Sequence, residues 1–152
     1  MAPTITIYTD GSALGNPGKG GYGVVLISGP HRKELSQGYR LTTNNRMELM
    51  AVCVALEALK IEGSEVTIYS DSKYVVDAVS QGWVFGWEKK RFSGKKNPDL
   101  WIRFLRAYRR HHVRFVWVKG HAETVENNRC DCLAVAAANG INLLEDSGYV
   151  AE

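Results

Sequence analysis

Residues 4–39, TITIYTDGSALGNPGKGGYGVVLISGPHRKELSQGY, decide the fold class. Ile5 and Ile7 alternate with polar residues over 4–9. The apolar run 22–27 stops at the turn signal Ser28-Gly29-Pro30, and 32–39 follows as a third extended segment. Side chains of a strand alternate between faces, so period-two runs separated by turn residues predict an antiparallel meander. Helical spacing begins next: Leu49, Val52, Leu56 and Leu59 share one face of a helix over 44–60, and Gly63 ends it before a strand at 66–70.

Beyond the second strand region the pattern alternates. A helix is predicted over 72–79, a short helix plus loop at best over 81–99, a helix over 100–112 and a strand over 113–118. An alanine-rich helix follows over 126–139 with Gly140 at its C-cap, after which the tail shows no pattern. Strands followed by helix–strand alternation favour an α/β fold, a mixed sheet with helices on its faces. At 152 residues, 45% hydrophobic and 23% charged, the chain fits one globular domain.

No apolar run approaches the roughly 18 residues of a membrane span, and the start resembles no signal peptide, so a soluble, cytoplasmic protein is expected. Cys53, Cys130 and Cys132 are odd in number and lack zinc-ligand spacing, which suits a reducing compartment. A monomer is expected, there being no association motif. The net charge of +3 hides an asymmetry: residues 89–119 hold 11 of the 19 Lys and Arg and one acid, Asp99, leaving that segment at +10 and the remainder at −7. Such a separation suits an anionic polymer, although any single basic run is ordinarily a solvated face.

Asp10, Glu48, Asp71 and Asp131 each fall at a strand end or in an early helical turn. Magnesium takes few carboxylates together with water and phosphate oxygens, so such a set points to phosphate chemistry. Singly, each has an ordinary reading. Asp10-Gly11 is turn chemistry at a strand end, Glu48 a helix residue, Asp71 a helix cap before Ser72, and Asp131 a residue favoured by the helix dipole.

The surrounding motifs carry more. TDGSALGNPGKGGYG at 9–23, TTNNRMELMA at 42–51, YSDSKYV at 69–75, VKGHA from 118 and ENNRCDCLA ending at 134 closely resemble ribonuclease H of the bacterial type 1 family, in order from about residue 4 to 149. The resemblance implies a single ribonuclease H domain over 1–152 with a five-stranded mixed sheet flanked by helices and a basic protrusion at about 81–99. It also implies sequence-nonspecific hydrolysis of the RNA strand of an RNA/DNA hybrid by a two-metal-ion mechanism, leaving 5′-phosphate and 3′-hydroxyl ends. Asp10, Glu48, Asp71 and Asp131 match the family's metal-binding carboxylates, with Mg2+ as the ion and Mn2+ as a substitute. His121 matches its active-site histidine, which handles a proton or helps product leave.

Contacts to the hybrid divide into two tracks. Asn16, Thr43, Asn44 and Asn45 match residues that touch the strands near the metals, and they equally suit caps and turns. Trp83, Trp87 and Phe92 interleave with Lys89, Lys90, Arg91, Lys95 and Lys96 in the protrusion, where aromatic faces and cations give affinity without sequence preference. Trp83 and Trp87, four apart, also fit the core face of a helix, and Trp101 and Trp117 are expected in the core. Lys73 stands where relatives often carry glutamine and joins the contact set. Leu41 occupies a frequent arginine position, and Glu123-Thr124-Val125 lacks a frequent proline. A DNA-directed nuclease of the same fold and a catalytically dead hybrid-binding module are the alternatives. The NNRMEL and basic combination argues against the first, and the intact carboxylate set with His121 against the second.

Overall fold

A computed structural model describes residues 3–119 and 124–151. The meander is formed by β1 (Thr4–Ala13), β2 (Gly18–Ser28) and β3 (His31–Thr42), paired antiparallel in sequence order. Helix α1 (Asn44–Glu57) then leads to β4 (Glu65–Ser70), which lies parallel to β1 on its free side. Helices α2 (Lys73–Ser80), α3 (Trp83–Lys89) and α4 (Pro98–Tyr108) precede β5 (His112–Trp117), parallel to β4, and α5 (Val125–Ala138) follows. The mixed sheet flanked by helices is as expected, but it has six strands, in the order β5-β4-β1-β2-β3-β6. The sixth, β6 (Leu143–Leu144), pairs parallel with Gly38 and Tyr39 of β3. Two residues carry no periodicity, so the tail holds no strand signal in its sequence.

Period two sorts the sheet faces. Ile5, Ile7, Tyr22, Val24, Leu26, Val66 and Ile68 point to one side and form the main core with α1, α2 and α4, including the fully buried Trp101 and Phe104. On the other side, Gly21, Gly23 and Gly38 make a floor without side chains. A Cβ at these positions would overlap the backbone carbonyl oxygens of Ala134, Cys130 and Ala137, so α5 rests directly on the strands. Small residues on both partners permit that approach. Asn139 is the C-cap of α5, with Gly140 just beyond it.

Strand β1 runs four residues past the predicted end, so Asp10-Gly11 lies inside a strand and is not a turn. Gly11 serves instead a close approach: a Cβ there would overlap the Met47–Glu48 peptide of α1. Two aromatic expectations reverse. Phe92, placed among the hybrid contacts, is buried in the core from a left-handed backbone (φ 60°). Trp117, expected in the core, is 42% exposed because β5 is an edge strand. Trp101 is buried as expected and donates its indole N–H to the Tyr74 hydroxyl at 2.9 Å.

The tail is anchored by charge. Arg46 in α1, 1% exposed, donates from Nε and Nη2 to Asp146 at 2.7 and 2.9 Å, and from Nη1 and Nη2 to Asp99 at 2.9 and 2.8 Å. Asp146 also accepts the Thr42 hydroxyl at 2.6 Å. Gly148 packs so closely that a Cβ would overlap Asp99 and Arg46. Paired bidentate guanidinium–carboxylate contacts have the geometry that offsets burial of the ions.

Candidate active site

Strands β1 and β4 run parallel with Tyr8 opposite Tyr69, so two residues further on Asp10 comes level with Asp71, which follows β4 directly. Strand ends of this kind, beside the strand where connections leave in both directions, are where open α/β sheets place ligands. Helix α1 delivers Glu48 to the same place, and Glu48 Oε1 accepts the Gly11 amide at 2.5 Å while Asp10 Oδ1 accepts it at 2.9 Å. One carboxylate oxygen from each of Asp10, Glu48 and Asp71 lies within 4.8 Å of the others. Asp131 lines the same cleft from α5, with Asp10, Asp71, Asn128 and Lys119. Three of the four expected carboxylates are thus drawn tightly together, and the fourth lines the same cleft as Asp10 and Asp71. His121 lies outside the described residues.

The ordinary readings of these residues are not how the side chains are used. Ser72 caps α2, accepting the Val75 amide at 3.2 Å, so Asp71 does not serve as the cap. Asp71 Oδ1 is instead buried without a hydrogen-bond partner among the described residues. Burial, then the nearby charges of Asp71 and Asp131, pushes the Asp10 carboxyl up to about 8. Burial, then the charges of Asp10 and Asp71, also drives Glu48 well above the ordinary carboxylate range. Both carboxyls resist ionisation because the protein supplies too little positive charge around them. An orphaned buried oxygen inside a set of oxygen donors that repel one another is the environment a hard divalent cation satisfies. The residues present therefore fit such an ion.

The first contact track doubles as capping. Asn16 Oδ1 accepts the Asn44 amide at 3.1 Å, and Thr43 Oγ1 accepts the Arg46 amide at 3.2 Å. Capping occupies acceptor atoms and leaves the Asn16 amide N–H groups and the Thr43 hydroxyl proton unspent. Asn44 and Asn45 are exposed beside them. Asn16, Thr43 and Asn45 share a broad cleft with Lys95, Lys96 and tail residues 148–151, so the two tracks meet. Arg46 and Asn97 line that cleft too and escaped sequence reading. Only their pairing across the fold marks them, and Asn97 adds a left-handed backbone (φ 60°) before Pro98.

In the basic segment, Arg103, Arg109 and Arg110 are paired with Glu57, Glu88 and Glu62. Lys89, Lys90 and Arg91 are exposed, with no carboxylate partner among the described residues. The two tryptophans divide. Trp83 is 53% exposed, whereas Trp87 packs its edge on Trp101 at 5.7 Å and carries Lys95 Nζ 5.0 Å over its ring.

Comparison with known proteins fits this geometry to a family. The RNase H family model matches residues 2–139. The chain belongs to the RNase H family. A ribonuclease H of Syntrophus aciditrophicus (strain SB) is 55% identical over 150 residues, covering 95% of this chain and 86% of that protein. Among solved structures, LC9-RNase H1, described as a type 1 RNase H with the type 2 active-site motif, is 33% identical with a TM-score of 0.84 over 92% of this chain and 74% of its own. LC11-RNase H1, solved in complex with an RNA/DNA hybrid, is 27% identical with a TM-score of 0.65, covering 89% of this chain and 96% of its own. The protein is a ribonuclease H enzyme, of a family that cuts RNA internally within RNA/DNA hybrids and depends on divalent metal. Among the described residues no helix is long and apolar enough to cross a membrane.

Proposed function

We propose that this chain hydrolyses the RNA strand of RNA/DNA hybrids without sequence preference, using two divalent ions held by Asp10, Glu48, Asp71 and Asp131. Mg2+ is the proposed ion, with Mn2+ as a substitute. The observation that carries the reading is the buried Asp71 Oδ1, unpartnered among the described residues, within a cluster whose other members, Asp10 and Glu48, are held back from ionising. When bound, the ions supply an activated water and charge stabilisation at the leaving oxygen of an in-line displacement, giving 5′-phosphate and 3′-hydroxyl ends.

The chain's own groups do the rest. Asp10 and Glu48, both raised above the ordinary carboxylate range, would ionise together only when cations offset the repulsion in the cluster, so loading would couple to proton release. Gly11 N–H fixes the Asp10 and Glu48 oxygens at one point. Asn16, Thr43, Asn44 and Asn45 present donors to 2′-hydroxyls and backbone oxygens beside the cluster, the features that distinguish RNA from DNA. Lys73, Lys89, Lys90, Arg91, Lys95 and Lys96 offset phosphate charge, Trp83 offers an open ring, and Trp87 acts as the platform for Lys95. To His121 we assign proton transfer or product departure. The unpaired thiols Cys53, Cys130 and Cys132 support a reducing, cytoplasmic setting.

The test presents one labelled RNA in a hybrid with DNA, single-stranded and in duplex RNA, with magnesium or chelator, beside Asp10→Asn. Metal-dependent cleavage of the hybrid alone, lost in Asp10→Asn, is the expected result. Binding without cleavage under magnesium and manganese would leave a hybrid-binding module as the better account. His121→Ala should slow turnover and leave metal binding intact; unchanged turnover at neutral pH removes its role.

A further inference from the structure

The exposed indole on edge strand β5 has both of its interacting surfaces committed to the turn that carries Asp71 and enters α2. Trp117 pairs with Ser70 in register, and its Nε1–H donates to the backbone carbonyl of Asp71 at 3.3 Å. Its ring carries the ammonium of Lys73 at 4.7 Å from the centroid. Lys73 is the first residue of α2, where the helix dipole disfavours a cation, and its exposed ammonium has no carboxylate partner among the described residues. A single exposed tryptophan is ordinary in itself. Here the N–H holds the turn that carries Asp71 while the face holds the neighbouring cation.

We propose that Trp117 is a positioning residue that parks the Lys73 ammonium beside the turn that carries Asp71, poised for a phosphate of the hybrid. This rests on the hydrolytic reading above. A cation over a ring face is attracted by the quadrupole and keeps its three N–H donors available, whereas an ion pair would spend them. Released from the ring, the flexible Lys73 chain, two residues from Asp71 in sequence, would be free to approach that carboxylate and compete with a metal ion that Asp71 would hold. Trp117 thus keeps one cation out of the cluster and ready for substrate.

The experiment measures hybrid affinity in a cleavage-silent Asp10→Asn background, comparing it with added Lys73→Gln, Trp117→Leu, both together, and Trp117→Phe. Each of the first two single changes should weaken binding about threefold to tenfold. The double variant should bind no worse than Lys73→Gln, because without the ammonium the ring has nothing to position. Lys73→Gln should make the dependence of log Kd on log salt shallower by about one. Trp117→Phe, which keeps a ring face, should retain most of the affinity. Losses that multiply in the double variant, or a Trp117→Leu protein that binds unchanged, overturn the assignment. A readout on the parent protein needs no variant at Trp117: the Lys73 ε-methylene protons should be shifted upfield by the indole ring current, and resonances at ordinary lysine positions overturn it equally. Absence of hybrid binding by the Asp10→Asn background itself would overturn the hydrolytic reading and this inference together.

Discussion

Two buried charge clusters begin two residues apart on helix α1, one at Arg46 and one at Glu48, and the protein balances them in opposite ways. Arg46 receives two carboxylates, Asp99 and Asp146, through five hydrogen-bond donations that include Asn97. Burial opposes its charge, yet the hydrogen bonds and charges of those two partners hold its pKa above the ordinary value. Glu48 receives Asp10 and Asp71, which carry charge of its own sign, and burial with that repulsion pushes its pKa up. The first cluster is complete from the chain alone and ties the tail to the fold, whereas the second gathers carboxylates that have no ion-pair partner among the described residues. Charge left unbalanced in the interior is therefore more informative about function than charge that is buried and paired.

The widest separation between the two clusters should come from Asp10→Asn. We expect cleavage to fall by on the order of a thousandfold, with saturating magnesium failing to restore it, as for removal of a group that acts on developing charge. The same change should raise the stability of the metal-free protein by about 1 kcal/mol or more, since the fold must otherwise bind a proton at Asp10 that the unfolded chain gives up, and an amide is neutral without one. Denaturant unfolding in chelator measures this, and a destabilised Asp10→Asn would break the contrast. Arg46→Ala should behave oppositely, costing about 3–5 kcal/mol by stranding Asp146. It should also loosen residues 143–148, visible as faster amide exchange there. Near-parent stability would mean that the ion network is dispensable.

The pH dependence of metal-free stability sharpens the comparison further. Asp10 is raised in the fold from 3.8 to about 8, so its penalty is fully present above that folded value and shrinks as pH falls toward the unfolded one. Glu48 acts in the same direction. Asp99 is the reverse case: burial works to raise its pKa, but Arg46 holds it below 3.8, so its stabilising contribution is present above that value and disappears on stronger acidification. Thermal midpoints in chelator should therefore rise as pH is lowered from 8, pass through a maximum on the acid side of neutrality and then fall. Magnesium should flatten the neutral limb; an unchanged limb with magnesium would dissociate the cluster from metal binding. The smallest effects belong to the surface. Neutralising Lys89, Lys90 or Arg91 singly should leave stability within about 0.5 kcal/mol. Each change should reduce the salt slope of hybrid binding by about 0.9 for every phosphate that the side chain no longer neutralises.

What can be read from the sequence follows the range of the interactions. The meander, α1 and the motif segments announce themselves through local periodicity and residue spacing, and the three clustered carboxylates lie within those motifs. The Arg46–Asp146 pair joins residues 100 positions apart, and no local signal marks either end. Asp10-Gly11 has the composition of a turn, yet the glycine answers to a helix residue 37 positions later, which composition does not encode. Trp117 and Phe92 exchange their expected environments: hydrophobicity predicts burial for the first and the surrounding cations predict exposure for the second, while the edge position of β5 and the left-handed backbone at Phe92 depend on the assembled sheet and loop.

The glycine floor beneath α5 has a consequence for how this enzyme can be tuned. Asp131 rides on that helix, and nothing but hydrogen atoms at Gly21, Gly23 and Gly38 separates the helix backbone from the strands. The missing methyl groups work as the thinnest available shim. Putting one back at Gly23 would overlap the Cys130 carbonyl oxygen and should lift the helix and shift Asp131 relative to Asp10, while every carboxylate keeps its identity. A graded set of such shims, read as the magnesium concentration needed for half-maximal cleavage, turns the height of a helix above a sheet into an adjustable setting of the enzyme.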